Sequence, residues 1–324
     1  MAGECYKSGM DISPLISRVA RGKHGSEHLT QAEAKLVFAQ LLLPDADALQ
    51  LGAFLIAQRM KGETSAELAG FVEAARSRIT GFGAYAAPPT AVDLPCYAGK
   101  RRAPHAYLAA ALKARDAGIP VFIHGVEHIE GRITAWQLLQ QVGVKRVTNL
   151  ADAHVALKGE GMVYADLADL CPDLFRIYNL RPRLGVRSFA NSVARLLNPI
   201  SCSGQLNGFF HTPYADYMAG GNILLGQPRS LIFMGAEGEP ELYADRQKVV
   251  VRQLGEKVMR LTFPESGCDY YPRAAMDMQQ LTEQSVAMLN GVVSERESAV
   301  VQRMGEAFAW AAEGDMPAEW KVEE

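Results

Sequence analysis

Lys100-Arg101-Arg102 closes the stretch Asp93-Leu94-Pro95-Cys96-Tyr97-Ala98-Gly99-Lys100-Arg101-Arg102, and a second basic run follows later. There, five arginines at 176, 181, 183, 187 and 195 occur with no acidic residue between the first and the last. A guanidinium is permanently charged and offers paired hydrogen bonds to phosphate or carboxylate oxygens. The chemistry these residues support is therefore anion binding. Phosphates held in this way respond to charge and counterion release and need no sequence code. The net charge of −3 hides this polarity, because the last dozen residues carry Glu313, Asp315, Glu319, Glu323 and Glu324. The middle of the chain is basic and its tail acidic.

Other side chains offer narrower chemistry. Gly235-Ala236-Glu237-Gly238-Glu239-Pro240-Glu241 reads as a solvated acidic turn, with Glu241 as a weak candidate for a cation ligand, because magnesium affinity needs carboxylates paired on a defined geometry. His124, followed by Gly125 at a strand end, is open to acid-base work or to a purely structural hydrogen bond. Tyr97 and Tyr107 flank the basic loop and are read either as platforms for an unpaired base or as core. Five cysteines, at 5, 96, 171, 202 and 268, form no Cys-x-x-Cys pair, so neither a zinc site nor a disulfide framework is expected.

The elements that must position these groups fall into two kinds. A chain of 324 residues that is 48% hydrophobic and 21% charged can bury a substantial core, and its length predicts about two domains. The first 80 or so residues read as helices. Thr30 with Glu33, and Thr64 with Glu67, are capping-box pairs, and Leu68, Phe71, Val72, Ala75 and Ile79 follow at the spacing of one buried stripe. Leu49 to Met60 reads as another core helix. Gly81, Gly83, Pro88 and Pro89 then break every periodicity, as a hinge does.

Beyond the hinge, helices alternate with short apolar strands. Ala109 to Ala117 and Thr134 to Val142 read as helices, and Val121 to Ile123, Met162 to Tyr164 and Ser230 to Met234 as strands. This is the pattern of an α/β domain with a mostly parallel sheet. Leu174 to Leu197 is helical again, and Met276 to Glu313 is a helix candidate broken near Gly291 that packs on the sheet. Residues before Met10 read as a variable extension. No run approaches a membrane span and no signal peptide is evident, so a cytoplasmic protein without membrane contact is expected.

The order and spacing of Lys61-Gly62-Glu63-Thr64, Asp93 to Arg102, His124-Gly125, Arg181-Pro182-Arg183-Leu184-Gly185 through Asn191, and Leu197-Asn198-Pro199 resemble the anthranilate phosphoribosyltransferase family, glycosyltransferase family 3. The likeness covers roughly residues 10 to 270. It implies a small all-helical domain plus a larger α/β domain, of the kind shared with type II nucleoside phosphorylases. Residues 1–85 would form the helical domain, completed by helices within about 172–198, and 90–171 with 199–324 the α/β domain. It also implies a homodimer through the helical domain.

The same resemblance exposes departures. The family cradles pyrophosphate in a Gly-Thr-Gly-Gly-Asp-Gly loop, whereas this chain aligns Cys96, Tyr97, Ala98, Gly99, Lys100 and Arg101, so only Gly99 persists. Backbone amides wrap phosphate only where side chains leave room. The family's magnesium-holding Asp-Glu pair becomes Pro240-Glu241, and its Lys-His-Gly-Asn stretch becomes Ile123-His124-Gly125-Val126. Arg181 retains the place of the arginine that binds the aromatic acid's carboxylate, while Ala194-Arg195 replaces a Gly-Pro.

Two classes of function follow. In the first, a non-tryptophan member of the family binds nucleic acid or another polyanion through a basic cleft or groove. Lys100, Arg101, Arg102, Arg181, Arg183, Arg187 and Arg195 would contact phosphates, and Tyr97, Gly99, His124, Gly125 and Asn191 would line a pocket, with no catalytic residue and no metal. In the second, the chain is an active phosphoribosyl- or other pentosyltransferase with a changed donor or acceptor. Magnesium is implied only there, and scaffold alone does not choose between the two.

Overall fold

The computed structural model describes residues 11–22 and 24–323; the extension expected before Met10 lies outside the described residues. Helices Ser13–Ala20 (α1), Gln31–Leu41 (α2), Ala48–Lys61 (α3) and Ser65–Arg76 (α4) form the amino-terminal bundle. Both capping boxes form as their spacing requires, with the Thr30 and Thr64 side chains accepting from the Glu33 and Glu67 amides and the glutamates accepting from the cap amides in return. Asp47 caps α3 by accepting from the Gln50 amide at 2.8 Å.

The bundle is closed by residues from far along the chain. Phe189 stacks on Phe71 at 4.2 Å between ring centroids and meets Phe38 and Phe54 edge-on at 5.0 and 5.9 Å. The stretch read as helical over Leu174 to Leu197 is three short helices, Pro172–Tyr178, Arg181–Leu184 and Ala190–Arg195. Proline at the start of the first two and Gly185, in the left-handed region at φ 75°, cut it into pieces.

The α/β part is built on one sheet of Val92–Cys96 (β1), Val121–Gly125 (β2), Arg146–Val147 (β3), Met162–Asp166 (β4), Gly204–Phe209 (β5), Arg229–Met234 (β6), Val250–Leu254 (β7), Lys257–Thr262 (β8) and Lys321–Val322 (β9). Their spatial order is β3-β4-β2-β1-β5-β6-β7-β8-β9. The first six run parallel, and β7 to β9 add an antiparallel edge. The central strands are buried throughout, as they must be when helices cover both faces.

The helix candidate over Met276 to Glu313 is two helices, Met278–Leu289 and Glu295–Glu313, parted at Gly291 with φ 95°. The second packs its Phe308, Trp310 and Ala311 into the core beneath the sheet. None of the described helices is long and apolar enough to cross a membrane.

Strand order reverses between β1 and β5, because β2 and β4 lie to one side of β1 and β5 and β6 to the other. In an open parallel sheet, ligands bind outside the carboxyl ends of the strands at such a point. Three segments project there: the basic loop after β1, Phe210 after β5, and the acidic turn after β6. The fold thus brings residues some 140 positions apart to one place.

Candidate anion-binding cleft

The basic loop and the acidic turn are joined to each other. Glu239 accepts from the Ala98 amide at 2.9 Å and from the Gly99 amide. Glu237 accepts from the Arg101 amide at 3.1 Å and the Arg102 amide at 2.9 Å, and takes the Tyr271 hydroxyl at 2.9 Å as well. The Lys100 amide donates to the Ile133 carbonyl at 2.9 Å. Every backbone amide from residue 98 to 102 is therefore committed within the protein. Two carboxylates stand where the oxygens of a bound phosphate would stand in an open nest.

The acidic turn is thus buried, not solvated: Glu237, Glu239 and Glu241 are 6%, 1% and 2% exposed. Burial pushes the Glu239 carboxyl up, opposed by the Gly99 amide and the positive charge of Arg195. To reach its amides, Glu237 adopts a left-handed φ of 56°, a conformation costing on the order of 1 kcal/mol in a residue with a Cβ. Such strain persists because four hydrogen bonds over-determine it.

Lys100, expected among the phosphate contacts, is fully buried. Its ammonium pairs with Glu241 and donates to the Pro104 carbonyl at 2.6 Å. The second oxygen of Glu241 accepts from the Tyr107 amide at 3.2 Å. Burial raises the Glu241 carboxyl, and the Lys100 charge works against that. The Lys100 ammonium already neutralises Glu241, and Pro240 beside it offers no second carboxylate to complete a magnesium pair. The residues present do not fit the family's magnesium.

Tyr97 and Tyr107, at 1% and 0% exposure, belong to the core and present no stacking face. Tyr97 instead joins a buried chain of polar groups. His124 Nε2 is hydrogen-bonded to Asp93 Oδ2 at 3.4 Å, and its Nδ1 lies 2.7 Å from the Tyr97 hydroxyl. A carboxylate only accepts, so Nε2 carries the proton toward Asp93 and Nδ1 accepts from the phenol. Burial holds the Tyr97 phenol well above its ordinary value, in keeping with its role as donor. His124 is sealed from solvent, and this geometry makes it a fold determinant. Gly125 is required by space, since a Cβ there would sit 2.2 Å from the Cys96 carbonyl oxygen. Gly99 is required twice over: its φ is 63°, and a Cβ would meet Arg132 Cβ at 2.9 Å.

The open site lies beside this sealed loop. Arg181, Arg187, Asn191 and Arg195 line a cavity of about 280 Å³ between the short helices and the ends of the strands, together with Arg59 from α3 and Phe209, Phe210, His211 and Tyr214. Arg195 is 8% exposed and is held by the Asn191 carbonyl at 2.8 Å, with its guanidinium 5.9 Å from the Tyr97 ring centroid. Arg187 is half-buried, and its pKa is lowered by burial and by the nearby charges of Arg195 and Arg181. Among the described residues, Arg101, Arg102, Arg181, Arg183 and Arg187 form no ion pair, whereas nine other arginines do. Arg101 and Arg183 are exposed but lie outside the cavity lining, and Arg102 is half-exposed.

Sequence reasoning missed three members of this neighbourhood. Arg59 sits two residues before Lys61-Gly62-Glu63-Thr64 and could have been found from that motif. Phe210 had no periodic signal, because it lies just past the end of a strand. Arg132, which donates to the Gly99 carbonyl at 2.8 Å and lies 3.6 Å from Glu237, is brought in by a loop.

A helical amino-terminal domain set against a larger α/β domain with a mostly parallel sheet, with arginines lining a cleft at the sheet's switch point, defines the class of scaffold. The helical bundle domain of the glycosyl transferase family matches residues 13–79. An uncharacterized protein of Aquifex aeolicus is 30% identical over 249 residues, which is 75% of each chain. The anthranilate phosphoribosyltransferase of Methylobacterium nodulans is 28% identical over 325 residues, 93% of each. The crystal structure of anthranilate phosphoribosyltransferase from Thermus thermophilus superposes with a TM-score of 0.75 at 23% identity, covering 93% of this chain and 89% of that one. The chain belongs to the anthranilate phosphoribosyltransferase-like proteins of glycosyltransferase family 3.

Proposed function

We propose that this protein binds nucleic acid, single-stranded or otherwise irregular, through its arginine-lined cleft, and that it does not carry out magnesium-dependent transfer from phosphoribosyl pyrophosphate. One observation carries the reading: the loop amides that would cradle pyrophosphate are all taken by the protein's own groups, Glu237 and Glu239 foremost, while the neighbouring arginines are left without carboxylates. A loop already saturated with carboxylate oxygens repels a further phosphate. A cluster whose charges raise one another's energy, as Arg181, Arg187 and Arg195 do, is relieved by a polyanion. The proposed site of action is the cytoplasm.

The test is binding of a labelled strand of about 12 nucleotides, as DNA and as RNA, at two salt concentrations. If three or four phosphates are neutralised, affinity falls about 20- to 50-fold between 50 and 200 mM salt. The double variant Arg181→Ala/Arg187→Ala is expected to weaken binding and to flatten the salt slope by about 1.4 log units per log unit. A salt-independent affinity, or turnover of phosphoribosyl pyrophosphate with anthranilate and magnesium, would overturn the proposal.

Pairing of two chains through the helical domain is part of the same reading. An apolar groove of about 1130 Å³ runs along α1 and α3, where Leu49 and Met60 are 82% and 81% exposed. Patches of that kind on a bundle face mark interaction surfaces. Leu49→Glu/Met60→Glu is expected to halve the mass seen by light scattering, and an unchanged mass would remove this face from consideration.

A further inference from the structure

Phe210 combines two properties that no other described residue of the cleft shares: it is a large apolar ring left 53% exposed, and it lines the same cavity as Arg181 and Arg187. The chain reaches it at the carboxyl end of β5, where Phe209 turns into the core at 4% exposure and Phe210 turns out. Its ring stands at 89° to that of His211, with centroids 5.1 Å apart. Its Cβ lies against Gly238, where a side chain at that glycine would come within 3.7 Å. Phe210 therefore sits beside the acidic turn, on the cavity lining it shares with Arg181 and Arg187.

Charge alone would suffice for a simple phosphate or sulfate ligand, and an exposed phenyl ring among guanidinium groups would then only lose hydration. The pairing is economical for a ligand that carries both anionic groups and flat apolar faces. We infer that Phe210 is the platform on which an unpaired nucleobase stacks while Arg181 and Arg187 hold its flanking phosphates. This rests on the nucleic-acid reading above and adds to it a preference for unstacked bases. It also replaces Tyr97 and Tyr107, which are enclosed, as the aromatic contact.

A strand inside a duplex has its bases stacked on one another and cannot use such a platform, whereas every single-stranded base offers a π-face. Three ligands of equal length separate the contributions: oligo(dT), an abasic deoxyribose-phosphate strand, and a duplex. For wild type, oligo(dT) is expected to bind more tightly than the abasic strand.

Phe210→Ala is expected to lower affinity for oligo(dT) about 5- to 150-fold, the range that loss of one base–aromatic stack produces. The loss should be several-fold larger on oligo(dT) than on the abasic strand. Phe210→Trp should restore binding, and Phe210→Leu, which keeps apolar bulk without a π-face, should not. Equal losses on base-bearing and abasic strands, or full binding by Phe210→Leu, would overturn the stacking role while leaving the cleft as a phosphate site. Failure of wild type to bind any of the three ligands would instead overturn the nucleic-acid reading itself.

Discussion

Lys100→Ala is expected to lower the free energy of unfolding by about 3–5 kcal/mol, because it leaves the Glu241 carboxylate buried without its cation. Lys100 and Glu241 are 0% and 2% exposed, and each has exchanged water for the other plus one backbone partner. Removing one member of such a pair costs far more than the pair contributes, since the desolvated charge that remains has nothing to balance it. Lys100→Met/Glu241→Gln should recover much of the loss: it removes both charges and leaves an amide oxygen to accept from Tyr107. Arg101→Ala, one position along and exposed, should change stability by no more than about 0.5 kcal/mol. Urea midpoints at constant slope measure all three. A Lys100→Ala midpoint equal to wild type would refute the buried pair. Any loss of oligonucleotide binding by this variant is expected to track loss of folded protein, since Lys100 reaches no ligand.

A comparable loss, about 3–5 kcal/mol, is expected for Glu67→Ala in the helical bundle. Glu67 is fully buried and accepts from the Leu29 amide at 2.9 Å, the Thr64 amide at 3.0 Å, Gln58 at 3.2 Å and the Lys61 ammonium at 2.7 Å. It joins the start of α2, the end of α3 and the start of α4 through one side chain. Burial pushes its carboxyl up, but the Leu29 amide and Lys61 prevail and hold it below the ordinary glutamate value. A lowered pKa means that the unfolded chain takes up the proton first. The stabilisation is thus complete above the unfolded value and is lost as pH falls through the folded one, a window below about pH 4.3.

Glu239 and Glu241 are shifted in the opposite direction, so their contributions fall as pH rises from the ordinary glutamate value through their raised ones. Glu67→Gln isolates the first effect: it is expected to be less stable than wild type at neutral pH and to show a flatter decline in acid. Parallel acid limbs for the two proteins would show that Glu67 is not the titrating group.

Much of the fold was legible because its signals are local. Thr30 and Glu33 are three residues apart, so a capping box is settled within one helical turn. Gly118 at φ 89° and Gly291 at φ 95° end their helices for reasons contained in the glycine itself. The antiparallel edge from β7 to β9 was not seen: Val250–Leu254 and Lys257–Thr262 are short, mixed in polarity and partly exposed, and only pairing with β6 makes them strands.

At the site, the amino-acid sequence by itself determined that a glycine-poor basic loop follows β1, that an arginine run follows much later, and that three glutamates sit in one turn. It could not determine which charges meet. Lys100 and Arg101 are neighbours of the same sign, yet one is sealed against Glu241 and the other faces water. Two tyrosines beside the loop are core, while a phenylalanine more than a hundred residues away reaches the cleft. The carboxylate partners of the loop amides lie some 140 positions on and are delivered by the parallel register of β1, β5 and β6. Capping and breaking act over a turn of chain and are written in residue type. Neutralisation and burial act over a few ångströms of space, and only the folded sheet sets those distances.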